Sequence, residues 1–389
     1  MSDSPNVTVL GASGGGRAMV AYLSSRGIKP VVWNRGFSRL EPVKRAGGVF
    51  AKGELEGFHP VRLATNDIAK AVEGADAIMV VTPAFAHAEL ARKLAPHLLP
   101  GQLVLLNPGR TYGAVEFRRE VERGRGECPA VVAEAQTLAF TSRATGGAGV
   151  KIYRVKDQVK YSTFPEEDLP SIVPAIEEIF PQFQPVEEYL ETTLNNVGVL
   201  VHPTTTILNA ASIDAGRRFK FYHEGVTPCV GRLMRQVQDE VGRVFSALGL
   251  NQLTLEHWAE ECYGVSFGYG EVPLDRVLNA NPAYATIDAP GSLETRYLRE
   301  DVPYGLVPLW STAKHLGVKV PTVRALVWLA SVISGLDLAR AGRRVGKLGL
   351  KRFLDGKVRE CQKLVVGGAL DDFNDEFDDS EGSFDGGDW

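Results

Sequence analysis

The sequence predicts a two-part chain, an N-terminal α/β domain around a mainly parallel sheet and then a C-terminal all-α domain. Three observations carry this. Short apolar runs alternate with helical stretches through the first half, as parallel strands covered on both faces require. The first apolar run ends in a glycine-rich turn that opens a helix. From about Glu188 onward the strand pattern gives way to long helical periodicity.

Val7-Thr8-Val9-Leu10 is the first strand, Gly11-Ala12-Ser13-Gly14-Gly15-Gly16 the turn, Arg17 to Arg26 the helix and Pro30-Val31-Val32-Trp33 the second strand. This is the order of a Rossmann dinucleotide-binding unit, in which the helix N-terminus presents free N–H groups to a pyrophosphate. Ser13 replaces the second glycine of the usual G-x-G-x-x-G frame, whereas Gly11, Gly14 and Gly16 keep three glycines at a different spacing. Gly15 lies in the same turn. After the second strand an acid would accept hydrogen bonds from an adenosine ribose. Asn34, Arg35, Ser38 and Arg39 stand there instead. Guanidiniums and a hydroxyl suit a 2′-phosphate, so NADP(H) is favoured over NAD(H).

Alternation continues. Leu63 to Asp67 opens a helix that runs to Ala75, Ala77 to Val81 is a strand ending at Thr82-Pro83, and Phe85 to Leu98 is helical. Strand Leu103–Leu106 stops at Asn107-Pro108-Gly109, helix Val115–Arg123 follows, and strand Ala130–Glu134 comes next. Ligands of such sheets sit beyond the carboxyl ends of the strands, which predicts that Thr82, Pro83, Asn107, Gly109 and Glu134 line a cofactor cleft. Val150–Val155 and Val159–Thr163 read as an edge hairpin, and Leu169–Phe180 as a helix. Helices are predicted at about 188–212, 228–248, 254–262, 305–316, 320–335 and 356–364. The domains are accordingly 1–186, a cofactor-binding domain, and 187–368, a helical substrate domain, with a tail at 369–389.

Composition is that of a globular chain without a membrane helix, with 44% hydrophobic and 23% charged residues. No export signal is visible and the four cysteines form no CxxC pair, so a reduced cytoplasm is expected, with neither a disulfide framework nor a metal site. The net charge of −4 hides a mildly basic body, because Leu370–Trp389 carries nine acids and no base. That body suits small anions and is too weakly basic to argue for nucleic acid. The tail reads as disordered, or as a segment docking on a protein partner through Phe373, Phe377, Phe384 and Trp389. A homo-oligomer is compatible with the sequence without being specified by it.

Two stretches offer chemistry. His202 sits in an apolar helical run before Pro203, which is expected to kink or open the helix there. An imidazole facing a cleft at such a break would exchange protons near neutrality. The charged stretch Glu294–Pro308 sits between apolar segments. Within it Arg296 suits a substrate carboxylate, and Asp301 suits a partner that favours protonated His202.

Together these segments resemble the octopine/nopaline, or opine, dehydrogenase family, and within it the bacterial N-(1-carboxyethyl)norvaline dehydrogenase type. The resemblance rests on Leu106-Asn107-Pro108-Gly109, Glu116-Phe117-Arg118 and His202-Pro203 with Leu208-Asn209-Ala210-Ala211. Glu224 to Pro228, Asn281-Pro282-Ala283-Tyr284, Thr295-Arg296-Tyr297, Glu300-Asp301 and Gly305 to Pro308 extend it, and it spans about Val7 to Gly349. It implies an active site between the two domains and NAD(P)H-dependent reductive condensation of an amino acid or amine with a 2-keto acid. His202 would then be the acid/base, Asp301 its orienting partner and Arg296 the carboxylate clamp. Gln238 stands where relatives usually carry an aspartate, which is expected to alter the amine pocket. The alternatives are a carbonyl or 2-hydroxy-acid reductase on the ketopantoate reductase plan, and a non-catalytic nucleotide-binding scaffold.

Overall fold

The structure, a computed structural model, describes residues 4–267 and 271–366. The acidic tail lies outside the described residues. Among the described residues twelve strands are found: β1 Val7–Leu10, β2 Val31–Trp33, β3 Gly48–Gly53, β4 Gly57–Pro60, β5 Leu63–Thr65, β6 Ala77–Val80, β7 Leu103–Leu106, β8 Val131–Ala135, β9 Phe140–Ala144, β10 Gly149–Val155, β11 Val159–Thr163 and β12 Phe183–Pro185. Eight form one sheet in the order β12-β11-β8-β7-β6-β1-β2-β5. Pairing is parallel from β5 to β8, and β11 runs antiparallel to β8 at one side. The order reverses direction between β1 and β6, the switch point at which such sheets bind ligands.

Alternation along these strands splits their side chains between two cores. Leu10, Val80, Val104, Leu106 and Val132 join one cluster, whereas Val9, Met79, Leu105 and Ala133 join the other. The first cluster continues through Leu200, Met234, Phe245, Leu298 and Leu326, so the helical half packs its interior onto one face of the sheet. The second sheet, in the order β4-β3-β10-β9, covers the other side. The first helix, Gly14–Ser25, is buried nearly all round because it lies between the two sheets.

Several sequence expectations are corrected. Val150–Val155 and Val159–Thr163 are not a hairpin: β10 pairs with β3 and β9, and β11 with β8 and β12. Adjacent strands can part in this way because each finds apolar cover on a different sheet. Leu63–Thr65 is strand β5 rather than a helix start, and Asp67 caps the helix Ile68–Val72 through the amides of Ala69 and Lys70. Residues 188–212 form three helices, Tyr189–Leu194, Val197–Leu208 and Ala210–Asp214. The helix carrying His202 runs unbroken through Pro203, and the break falls earlier, at Asn195-Asn196. Its largely buried side chains hold it together against the roughly 3 kcal/mol that an interior proline costs. Long helices follow at Pro228–Ala247, Pro321–Ser334 and Lys351–Val366.

Among the described residues no helix is long and apolar enough to cross a membrane, and no cluster of His, Cys, Asp and Glu is suited to a metal.

Candidate active site

A cavity of about 630 Å³ opens beside the switch point, between the sheet and the helical half. Its floor at the sheet end is the glycine turn. Gly11 has φ +128°, and a Cβ there would overlap the Val81 carbonyl oxygen; a Cβ on Gly16 would overlap the carbonyl oxygen of Gly11. Those two positions fix the frame as Gly11-x-Ser13-x-x-Gly16. Gly11 and Gly16 build the turn from behind, while Ser13, Gly14 and Gly15 face the cavity. Arg17, 5% exposed, ties the turn to the second sheet by donating to the carbonyls of Ala12, Gly147 and Gly149.

The residues after β2 divide. Asn34 accepts a hydrogen bond from the Ala12 amide at 3.1 Å and so braces the turn. Arg35 is paired with Glu89 at 2.8 Å, on the surface. Ser38 is exposed outside the cavity, whereas the Arg39 side chain lines it and has no ion-pair partner among the described residues. Thr82, Pro83 and Asn107 also line it. Thr82 Oγ1 and both polar side-chain atoms of Asn107 are buried there without partners, the kind of vacancy that a bound amide or hydroxyl would satisfy. Donor turn, unpaired Asn107 and apolar Val81 and Leu138 together fit a nicotinamide dinucleotide. Gly109 and Glu134 do not line the cleft. They pack against each other beneath it, because the chain after β7 folds inward, and burial raises the Glu134 carboxyl to about 7.

At the other end stands His202. Its Nδ1 is 2.8 Å from Asp301 Oδ2 and its Nε2 3.1 Å from the Tyr222 hydroxyl, and its ring stacks on Tyr297 at 4.3 Å. Asp301 is fully buried. Arg110 holds it, with Nη2 2.9 Å from Asp301 Oδ1, and also reaches Glu300 Oε1 at 3.4 Å and Asn196 Oδ1 at 3.0 Å. Arg110 and Tyr112 have φ near +60°, a conformation held here by these ion pairs and by the Tyr112 amide bonded to Thr193 Oγ1. Arg296, about half exposed, lies over the Tyr297 ring and 3.9 Å from Glu300 Oε2, with its head in the cavity.

Burial sets the protonation states. The His202 pKa lies below its usual value because desolvation outweighs the attraction of Asp301. Asp301 does pull the imidazole toward its protonated form, as the sequence predicts, but burial pulls harder the other way; facing a carboxylate, Nδ1–H donates to Asp301. The Asp301 carboxyl is lowered despite its burial, by Arg110 and His202.

His202 and Arg296 thus line one cavity with part of the glycine turn, and Asp301 stands buried behind His202 without reaching the cavity. No sequence signal points to Tyr222 or Tyr297 as neighbours of His202, and the place of Arg110 directly after Asn107-Pro108-Gly109 is the one local sign of its role. Gln238 does not reach the cavity. It is buried, accepting from the Leu255 amide at 2.9 Å and donating to Glu256 at 3.2 Å.

Residues 185–334 match the family model described as NAD/NADP octopine/nopaline dehydrogenase, alpha-helical domain, and residues 7–109 match the ketopantoate reductase PanE/ApbA model. The chain is 35% identical over 362 residues to an opine dehydrogenase of Arthrobacter sp. (strain 1C), covering 93% of this chain and 99% of that one. A solved octopine dehydrogenase in complex with NADH and agmatine superposes with a TM-score of 0.73 at 20% identity, over 95% of this chain and 100% of that one. A yersinopine dehydrogenase with NADP+ bound gives 0.67 at 13% identity, over 94% and 100%.

Proposed function

The chain belongs to the octopine/nopaline (opine) dehydrogenase family, and from that premise we propose that it condenses an amine, or the amine of an amino acid, with a 2-keto acid and reduces the resulting imine. The supporting observation is His202, backed by buried Asp301, opening onto the same cavity as the glycine turn. The dinucleotide is held by residues 1–186, and residues 187–368 supply most of the substrate site. Reduced nicotinamide supplies the hydride for the imine carbon.

The rest falls to side chains. Neutral His202 accepts a proton at Nε2 from the substrate ammonium, which frees the amine to attack the ketone. The imidazolium so formed is stabilised by buried Asp301 and returns its proton to the hydroxyl that leaves as water. The Tyr222 hydroxyl, which donates to Nε2 at 3.1 Å, gives up that bond as the substrate ammonium takes its place. Arg296 grips the keto-acid carboxylate beside the His202–Tyr297 stack.

NADPH is the preferred reductant on this reading. Support comes from Arg39 at the cavity wall, from exposed Arg143 beside it, and from Asn34 in place of an acid after β2. Arg35 contributes little, being engaged with Glu89.

The test is oxidation of NADPH, and separately NADH, across a panel of keto acids and amines, with products identified by mass. The reading requires turnover only when both substrates are present. Turnover with keto acid alone indicates the ketopantoate reductase plan, whose model matches only residues 7–109. Arg296→Ala is expected to raise the keto-acid KM while leaving NADPH affinity unchanged.

A further inference from the structure

One charged group in the cavity has no part in that scheme. Lys156, on the turn between β10 and β11, is 5% exposed and lines the cavity. Its ammonium donates to Thr137 Oγ1 at 2.6 Å and lies 5.2 Å from the Trp258 ring centroid and 6.0 Å from that of Tyr263. No carboxylate lies within ion-pair distance of it among the described residues. An ammonium carries three donors, and a buried cation is costly unless an anion meets it. Two donors here are left for the cavity.

The position of Lys156 separates it from the keto-acid end. Arg296 stands over Tyr297, which stacks on His202. From His202 an aromatic wall runs the other way: Tyr222 bonds His202, Tyr284 stacks on Tyr222 at 4.1 Å, and the Tyr263 hydroxyl is 3.3 Å from that of Tyr284. Lys156 lies at the end of this wall, with Trp258, Leu278 and Ile287 also facing the cavity. Among the described residues the wall carries no acid, and Glu300, the one carboxylate lining the cavity, is buried at the far end with its Oε1 engaged by the Ala84 amide and Arg110.

We propose that Lys156 anchors a carboxylate of the amine substrate, so that the cavity holds the keto acid at Arg296 and an amino acid at Lys156, with His202 between. This deepens the reading above and rests on it. Burial lowers the Lys156 pKa to about 8, which leaves the group charged at neutral pH to meet that anion. The uncompensated ammonium also rejects amines with cationic side chains.

The experiment compares binding of neutral α-amino acids, alanine through phenylalanine, with binding of their decarboxylated amines to the NADPH-loaded enzyme, read by tryptophan fluorescence. It needs no turnover, so absence of condensation in the wild type would sink the proposed function while leaving this comparison readable. The wild type is expected to prefer at least one amino acid over its amine by roughly 30-fold or more. Lys156→Met should remove that preference through lost amino-acid affinity, with the amine, keto-acid and NADPH binding affinities within about twofold of wild type. If Lys156→Met does not fold, Lys156→Gln serves for the same comparison, and Lys156→Arg should restore part of the preference. Equal loss for amino acid and amine, loss of keto-acid or NADPH affinity instead, no change, or no preference in the wild type would each overturn the assignment.

Discussion

The two ends of the cavity are made differently. At the sheet end a contiguous segment, β1 and the turn to Gly16, forms the site from backbone, and its essential residues are those that lack a side chain. At the helical end Arg110, Asn196, His202, Tyr222, Arg296 and Asp301 arrive from far-apart positions, and buried charges hold one another in place. The first kind of site fails when an atom is added, the second when one is removed.

Substitutions sharpen that contrast, beginning with the largest effect. His202→Asn is expected to lower kcat by roughly 10²- to 10⁴-fold with NADPH affinity unchanged, measured by steady-state kinetics and by fluorescence titration. A loss below tenfold would break the distinction. Arg110→Met strips buried Asp301 of its guanidinium and leaves Glu300 only the exposed Arg296, 3.9 Å away. It should cost about 3–5 kcal/mol in urea unfolding.

A pH effect comes next, at the seam between the two halves. His87, fully buried, bonds the Thr82 carbonyl through Nε2 and accepts at Nδ1 from Arg343, and burial lowers its pKa to about 3. Unfolded, it takes a proton near its usual 6.5. The unfolded chain therefore binds more protons between those values, and this group's share of stability is lost as pH falls through the window. Glu134 acts in the opposite sense, losing stability as pH rises from its ordinary 4.5 to about 7. The measurement is thus the wild-type denaturation midpoint relative to His87→Gln at each pH, a difference that should shrink as pH drops below 6.5.

Gly16→Ala, which adds one carbon against the Gly11 carbonyl, should cost about 1–3 kcal/mol and weaken NADPH binding, with kcat at saturating cofactor retained. Arg39→Ala should raise the NADPH KM by about tenfold, near 1.4 kcal/mol, and leave the NADH KM alone. Arg35→Ala should change both KM values by less than about twofold.

Legibility followed the same division. β1, β2, β6, β7 and β8 were readable because a fully buried parallel strand must be apolar throughout. The second sheet was not. β3, β4 and β9 mix exposed and buried residues, and β10 next to β11 mimics a hairpin. Glu134 lies beneath the cleft rather than in it because a strand end indicates depth along the sheet but not the face that a side chain takes. His202, Asp301 and Arg296 were legible through a resemblance in motif, yet the direction of the His202 shift depends on burial that no local pattern records.

The sequence by itself determined the parallel sheet, the glycine turn at its switch point and the change to helices near residue 188, because strand and helix periods and missing side chains are local properties. Tertiary structure alone decided that Arg110 would neutralise Asp301, that Tyr222 would meet His202, and that Arg39 rather than Arg35 would face the cavity. The first depends on desolvated charges meeting across about two hundred residues, and all three on which side chains the closed chain brings face to face.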